Sequence, residues 1–369
     1  MCVLSVMRIL MPGILVGLVL GSSASPAASK DLNSYVTAAA KKREFHGAIL
    51  IQQGGRTKYA GSHGFANISF HVPSAPSTKY KIASITKAFT SVLILQLRER
   101  GRLDLGDTIE HHLPGYAGEG ARRVTIHQLL NHTSGISNMD QTKSMADALQ
   151  NGIPVYQSPF SPQQILEQFT SGPLVHEPGL AFSYNNGDYV ILGRIIERLE
   201  GKPFESVLRE RILAPMGMSD SGMLRQQLVI SSLADTYFYR DDIKQLVPDL
   251  PNYPENWFAA GAMYSTAGDL AKFSSALFGE RLLCRASLDL MLKPGLDDYG
   301  YGVWVHDMKF SGKPYRVMKR PGSIMGAQTQ LLHILDLDLT VIILSNVGNN
   351  NLDDFVRDLA EAALINSSR

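Results

Sequence analysis

Strand-like segments cluster at the two ends of this chain, and the stretch between them reads as helices broken by loops. That layout restricts the fold more than any other feature. Near the start, residues 46–67 (HGAILIQQGGRTKYAGSHGFAN) read as two strands joined at Gly54-Gly55, a hairpin signal. Near the end, YGVWVHDM, YRVMKR, QTQLLHIL and LTVIILSN carry β character. Between about residues 80 and 240 lie TIHQLLNHTSGI, SPQQILEQF, GDYVILGRIIERLEG and FESVLRERIL, all of helical pattern. Helices are also expected over 32–43, from Ala267 through AGDLAKFSSALF, and over 352–365. The economical solution is α+β: one mixed sheet built from both chain ends, flanked by helices, with a helical region inserted. The 369 residues, 44% of them hydrophobic, can bury a large core as one big domain or two.

The first 28 residues read as an export signal. Arg8 precedes the apolar run ILMPGILVGLVL, and GSSASPAAS supplies small residues for cleavage. Pro12 and Gly13 interrupt the run, which is too short for a good transmembrane helix, so no stable membrane insertion is expected after cleavage. The mature chain, 29–369, is then periplasmic or secreted. It keeps one cysteine, Cys284, which excludes an internal disulfide and reads as a buried core residue. No histidine stands at metal-ligand spacing, and His111 and His112, before Pro114, read as surface residues. A net charge of +1 with no basic run argues against a nucleic-acid partner.

The stretch YKIASITKAFTSVLILQLRERGRLDLGD, residues 80–107, reads as a long amphipathic helix that begins at Ala83 or the residue before it, with Leu93, Ile94 and Leu97 in its buried stripe. Gly101 stops it as a left-handed cap. Ser84 and Lys87, three residues apart, share one helix face at its start. There the backbone N–H groups lack partners and the dipole is positive, which favours a developing oxyanion. A lysine that loses its proton on burial could take the serine's proton. Ser84 is the only serine in the chain with lysine three residues on.

Two further clusters carry polar chemistry. EPGLAFSYNNGDYVILGRIIERLEG packs Ser183, Tyr184, Asn185 and Asn186 before a helix. It contains both S-x-N and Y-x-N, and spacing does not choose between them. Tyr184 could act as a base if nearby cations lower its pKa. Asn186 could hold Lys87 and donate to a substrate carbonyl. KRPGSIMGAQTQLLHIL reads as a glycine-rich strand start whose edge could accept an extended substrate. Fingerprints for dinucleotides, P-loops, H-E-x-x-H zinc sites and the G-x-S-x-G elbow are missing from the sequence.

Ser84-Ile85-Thr86-Lys87, LLNHTSGI, EPGLAFSYNNGDYVILGRIIERLEGKPF, APMGMSDSG and AAGAMYSTAGDLAKF, in that order, resemble the class C β-lactamase-like serine hydrolases. That group includes penicillin-binding proteins, D-alanyl-D-alanine carboxypeptidases, D-aminopeptidases and esterases. The resemblance covers nearly all of the mature chain. It implies a β-lactamase-like fold around an antiparallel sheet and an acyl-enzyme on Ser84. Lys87 and Tyr184 would share the proton work, and Asn186 would lie in the substrate site. It selects Y-x-N over S-x-N, and makes His132 part of a structural turn. It implies a peptide or small-molecule amide or ester as substrate, with no metal or organic cofactor. A non-catalytic binding or sensing module of the same fold is the alternative. The chain departs from the family at the third motif, where Arg320-Pro321-Gly322 stands for the usual Lys-Thr-Gly or His-x-Gly. Arg320 is expected to face the site as a carboxylate clamp and, as a nearby cation, to help hold Tyr184 toward its ionised form, Pro321 to start or bend the strand, and Ser323 N–H to donate to the oxyanion beside Ser84 N–H.

Overall fold

The computed structural model describes residues 31–140, 142 and 144–367, so the candidate leader lies outside the described residues. Strands β1 (Gly47–Gln53) and β2 (Arg56–His63) form the expected hairpin. Gly54 and Gly55 turn it at φ 56° and 70°, the left-handed pair that a two-residue hairpin demands. From the other end of the chain come β3 (Trp304–Phe310), β4 (Lys313–Ile324), β5 (Ala327–Ile334) and β6 (Leu339–Ser345). The six make one sheet in the order β3-β4-β5-β6-β1-β2. Every pairing is antiparallel, and the two ends of the chain meet at β1 and β6, with Leu50 opposite Ile342.

Both faces of the sheet are covered. On one, Ile49, Ile51, Val341 and Ile343 pack with Val36 of helix α1 (Leu32–Lys42) and with Phe355, Val356 and Leu359 of the C-terminal helix (Leu352–Ser367). Their strand neighbours Ala48, Leu50, Ile342 and Leu344 point the other way, into the core of the inserted region. Double coverage is why these strands read as continuous apolar runs rather than alternating ones.

The residues between β2 and β3 hold the helical region and several short strands. Its centre is α2 (Thr86–Glu99), which follows a tight helical turn at Ala83–Ile85, where the sequence placed the helix start. Ahead of it, Tyr80–Lys81 pairs with Ser265 and Tyr264 as a short strand. Yet α2 shows no polar face: its residues from Thr86 to Leu95 and Leu97 are buried, as expected of a central helix enclosed on all sides. Gly101 caps it at φ 65°. Next to it pack α3 (Asn186–Glu200) and, against β1 and β6, α4 (Ala267–Phe278). Among the described residues no helix is long and apolar enough to cross a membrane.

Three local readings are corrected. Cys284 is exposed: it precedes the helix Arg285–Met291, and its N–H donates to Glu99 Oε1 at 2.8 Å. His112 is only 5% exposed, because its Nε2 lies 2.8 Å from Asp107 Oδ2. Pro321 neither starts nor visibly interrupts β4; it sits in register opposite Gln330. Pairing of β4 with β3 ends at Lys319 opposite Trp304, so from Arg320 onward β4 is an edge on that side, where a missing N–H is tolerated.

Candidate active site

Ser84 occupies a tight turn, Ala83–Ile85, immediately before α2. Ala83 is fully buried and held at φ 49°, a conformation that an alanine adopts only under constraint. The constraint is visible. Ile82 N–H donates to Met263 O at 3.0 Å, Thr86 Oγ1 to Ala83 O at 2.7 Å, and Thr329 Oγ1 to Ile82 O at 3.1 Å. Gly322 on the free edge of β4 closes against this turn. A Cβ there would lie 2.4 Å from Ile82 O and 3.1 Å from Ser84 N, so only glycine fits. Ser323, next along the edge, is exposed and stands opposite Gln328.

Lys87, one helical turn on, is fully buried. Its Nζ donates to Ser84 Oγ (3.2 Å), Asn186 Oδ1 (2.6 Å) and Ala260 O (3.0 Å). Three acceptors match the three protons of an ammonium. Burial pushes its pKa down to about 8; Tyr184 opposes that shift and Arg320 adds to it. Tyr184 is half-buried, with its hydroxyl 2.8 Å from Ser84 Oγ. Burial alone would raise the phenol, but Arg320 and Lys87 outweigh it and bring it down to about 8. The two groups lie close enough to titrate as one system.

Among the described residues Arg320 is the largest fully buried side chain. Nε donates to Ser84 O at 2.7 Å, Nη1 to Tyr299 Oη at 2.8 Å and Nη2 to Tyr184 Oη at 2.7 Å. Its guanidinium also lies 5.3 Å from the Trp304 ring centre, and Trp304 stacks on Tyr184 at 6.0 Å. The expected carboxylate clamp is therefore corrected: Arg320 does point inward, but it lies beneath Tyr184, engaged with the protein and out of reach of solvent.

His132 is also fully buried, with its ring 4.5 Å from that of Tyr184 and Nδ1 3.0 Å from Asp188 Oδ2. Asp188 also accepts from Ser134 Oγ at 2.7 Å. Burial drives His132 well below the usual histidine range and Asp188 well above the carboxylate range. The pair supports the back of the Tyr184 loop. No motif in the sequence marks Asp140, Tyr299 or Trp304, although all three shape the site. Asp140 Oδ2 accepts from Asn186 Nδ2 at 2.6 Å.

A second titratable cluster corrects the reading that no histidine has ligand partners. Asp107, His111 and His112 bring possible metal-ligand atoms within 4.8 Å of one another. Asp107 Oδ2, however, already takes the Asp104 N–H at 2.7 Å as well as facing His112 Nε2, so it closes its own turn.

Comparison with known proteins shows the family and the fold. The Beta-lactamase family matches residues 32–365. A penicillin-binding protein of Bacillus subtilis (strain 168) is 28% identical over 345 residues, covering 86% of this chain and 71% of the relative. The crystal structure of a penicillin-binding protein from Bacillus halodurans superposes with a TM-score of 0.73 at 25% identity, over 89% of this chain and 99% of that one. A D-amino acid amidase from Ochrobactrum anthropi SV3 shares the fold, with a TM-score of 0.75 at 23% identity over 92% and 99% of the two chains.

Proposed function

This chain belongs to the β-lactamase family of serine hydrolases, and from that premise we propose that Ser84 is its nucleophile, acting on an amide or ester carbonyl. The observation that carries the reading is the position of Ser84 Oγ, with the Lys87 ammonium on one side and the Tyr184 phenol, drawn toward ionisation, on the other. Lys87 faces three acceptors, an arrangement suited to a cation rather than a base. The proton of Ser84 then passes to Tyr184, whose phenolate accepts it with Arg320 Nη2 donating to the same oxygen. As the Ser84 Oγ–carbonyl bond forms, the carbonyl π electrons move to oxygen and rest on the backbone N–H groups of Ser84 and Ser323. Tyr184 returns the proton to the leaving group, the scissile bond breaks, and water resolves the acyl-enzyme by the same route.

β-Lactams, D-amino-acid peptides and small esters are the substrate classes in view; a parallel hydrolysis screen with nitrocefin, D-alanyl-D-alanine peptides and p-nitrophenyl esters separates them. Residues 1–28 serve as an export signal in this reading, giving a periplasmic or secreted enzyme whose mature N-terminus falls between Ser25 and Ser29. The decisive experiment is intact-mass analysis after a fluorophosphonate or penicillin. Wild type should gain one adduct, located at Ser84 by peptide mapping, and folded Ser84→Ala should gain none and turn nothing over. An unlabelled wild type would leave the non-catalytic binding module as the better reading.

A further inference from the structure

Asn186 faces Lys87 with one atom of its amide and Asp140 with the other, and the two atoms are not chemically equivalent. A carboxylate only accepts, so the atom toward Asp140 has to be the NH2. Nδ2 donates to Asp140 Oδ2 at 2.6 Å, and this turns Oδ1 onto Lys87 Nζ, also at 2.6 Å. Without the carboxylate, Asn186 could rotate and offer its NH2 to the lone pair of a neutral Lys87. Resting on the Ser84–Tyr184 reading above, we propose that Asp140 is a positioning residue for acylation, which fixes the polarity of the Asn186 amide and so keeps Lys87 as the ammonium that leaves Tyr184 to act as base.

Asp140 is itself held from outside the three motifs. The Tyr156 hydroxyl donates to the same Oδ2 at 2.7 Å. Tyr156 is buried and stacks on Trp257 at 4.1 Å, and its carbonyl takes the Tyr253 N–H at 3.0 Å. Asn256 Nδ2 fastens the same segment through Val155 O and Ser158 O, both at 2.7 Å. On the other side, Asn138 Oδ1 accepts the Asn186 N–H at 3.3 Å, and Asn185 Nδ2 donates to Ile136 O at 2.7 Å. The 136–140 segment is thereby fastened to the loop that carries Tyr184. The groups facing Lys87 are the rings of Tyr184 and Tyr189 at 4.7 and 5.5 Å, with Arg320, His132, Asp188 and Asp140 around them. With His132 and Asp188 driven toward their neutral forms, Asp140 is the carboxylate that reaches the Asn186 amide facing Lys87.

The measurement is the second-order rate of Ser84 labelling by a fluorophosphonate as a function of pH, which needs no knowledge of the natural substrate. Asp140→Asn is nearly isosteric, but its amide can turn either its carbonyl or its NH2 toward Asn186, so it removes the charge and the fixed polarity while keeping the packing. Its alkaline limb should move down by about one pH unit, because Lys87 surrenders its proton earlier, and labelling above the wild-type optimum should fall about tenfold. Tyr156→Phe leaves the charge and loosens only its anchor; its limb should stay with wild type. A profile for Asp140→Asn that superposes on wild type, or one that is merely scaled down along with a lower Tm, would overturn the proposal and leave Asp140 as a packing residue. A Tyr156→Phe limb displaced as far as that of Asp140→Asn would also overturn it, since loop packing would then set the protonation. Wild-type labelling is the internal control: if wild type is never labelled, the nucleophile assignment falls first and takes this inference with it.

Discussion

The two faces of the central sheet are both covered over its inner strands, yet they obey different rules. Behind it, Ile49, Ile51, Val341 and Ile343 meet α1 and the C-terminal helix through apolar side chains, and Phe355 packs edge-on to Phe45 at 5.5 Å. In front of it, the same strands meet a region that buries Lys87, Arg320, His132, Asp188 and Asn185 alongside its hydrophobic side chains. Burying a charge is costly unless it is paired and hydrogen-bonded. In front, that condition is met by donors matched to acceptors, as with the three acceptors around Lys87 and the three around Arg320. Behind, only volume has to match. The back face accordingly serves stability, and the front face holds protons in place.

The sharpest test of that division lies in front. Tyr184→Phe should slow acylation by about 10²–10⁴-fold, the usual loss for a proton-transfer group, and Lys87→Ala, which removes a cation that draws Tyr184 toward ionisation, should slow it through that same group. Both act on one proton path, so the double variant should be little worse than the poorer single one. Single-turnover labelling rates would show it, and a double variant carrying the product of both losses would dissolve the shared path. Behind the sheet the expected effect is thermodynamic. Phe355→Ala should cost about 3–5 kcal/mol of stability, the range for emptying a buried phenylalanine site, while the labelling rate per folded molecule stays at the wild-type value. Denaturant unfolding gives the first quantity. A labelling rate that falls well below the unfolding range would mean the two faces are coupled and the comparison fails.

What the sequence disclosed follows the same line. Features fixed by neighbours along the chain were legible: the Gly54-Gly55 turn needs two left-handed residues, and Ser84 and Lys87 meet because helical spacing of three brings them together. The doubly covered strands announced themselves as apolar runs at both chain ends. Features that depend on distant partners were not legible. Asp140 and Asn186 meet across 46 residues, and nothing local to either announces its partner; Arg320 and Tyr184, 136 residues apart, were brought together only through the family resemblance. The α2 stretch looked amphipathic because Ser84, Thr86, Lys87 and Thr90 are polar, yet all but the partly exposed Ser84 are buried and hydrogen-bonded. Pro321 looked like a strand breaker because the sequence does not show that β3 stops pairing at Lys319.

The smallest effect separates two meanings of Arg320. As a clamp exposed to substrate, its loss would penalise ligands with a free carboxylate and spare their esters. The structure buries it and directs its donors to Ser84 O, Tyr299 Oη and Tyr184 Oη. Its influence on the reaction then runs through Tyr184, and the sign follows. Burial raises the phenol, and Arg320 is the leading opposing influence. Removing the cation lifts the phenol again, so less phenolate is present at neutral pH. Arg320→Gln should therefore lose about tenfold in kcat/KM near pH 7 for each unit by which the acid limb moves up, and recover part of that loss as pH rises. A carboxylic acid substrate and its methyl ester should lose equally. Arg320→Lys, which keeps a cation without the planar fork, should hold the limb closer to wild type than Arg320→Gln does. Measuring kcat/KM for the matched acid and ester across pH in all three proteins decides the matter. A loss confined to the acid, with the limb unmoved, would return Arg320 to the substrate and bring the front face's buried cation out to solvent during turnover.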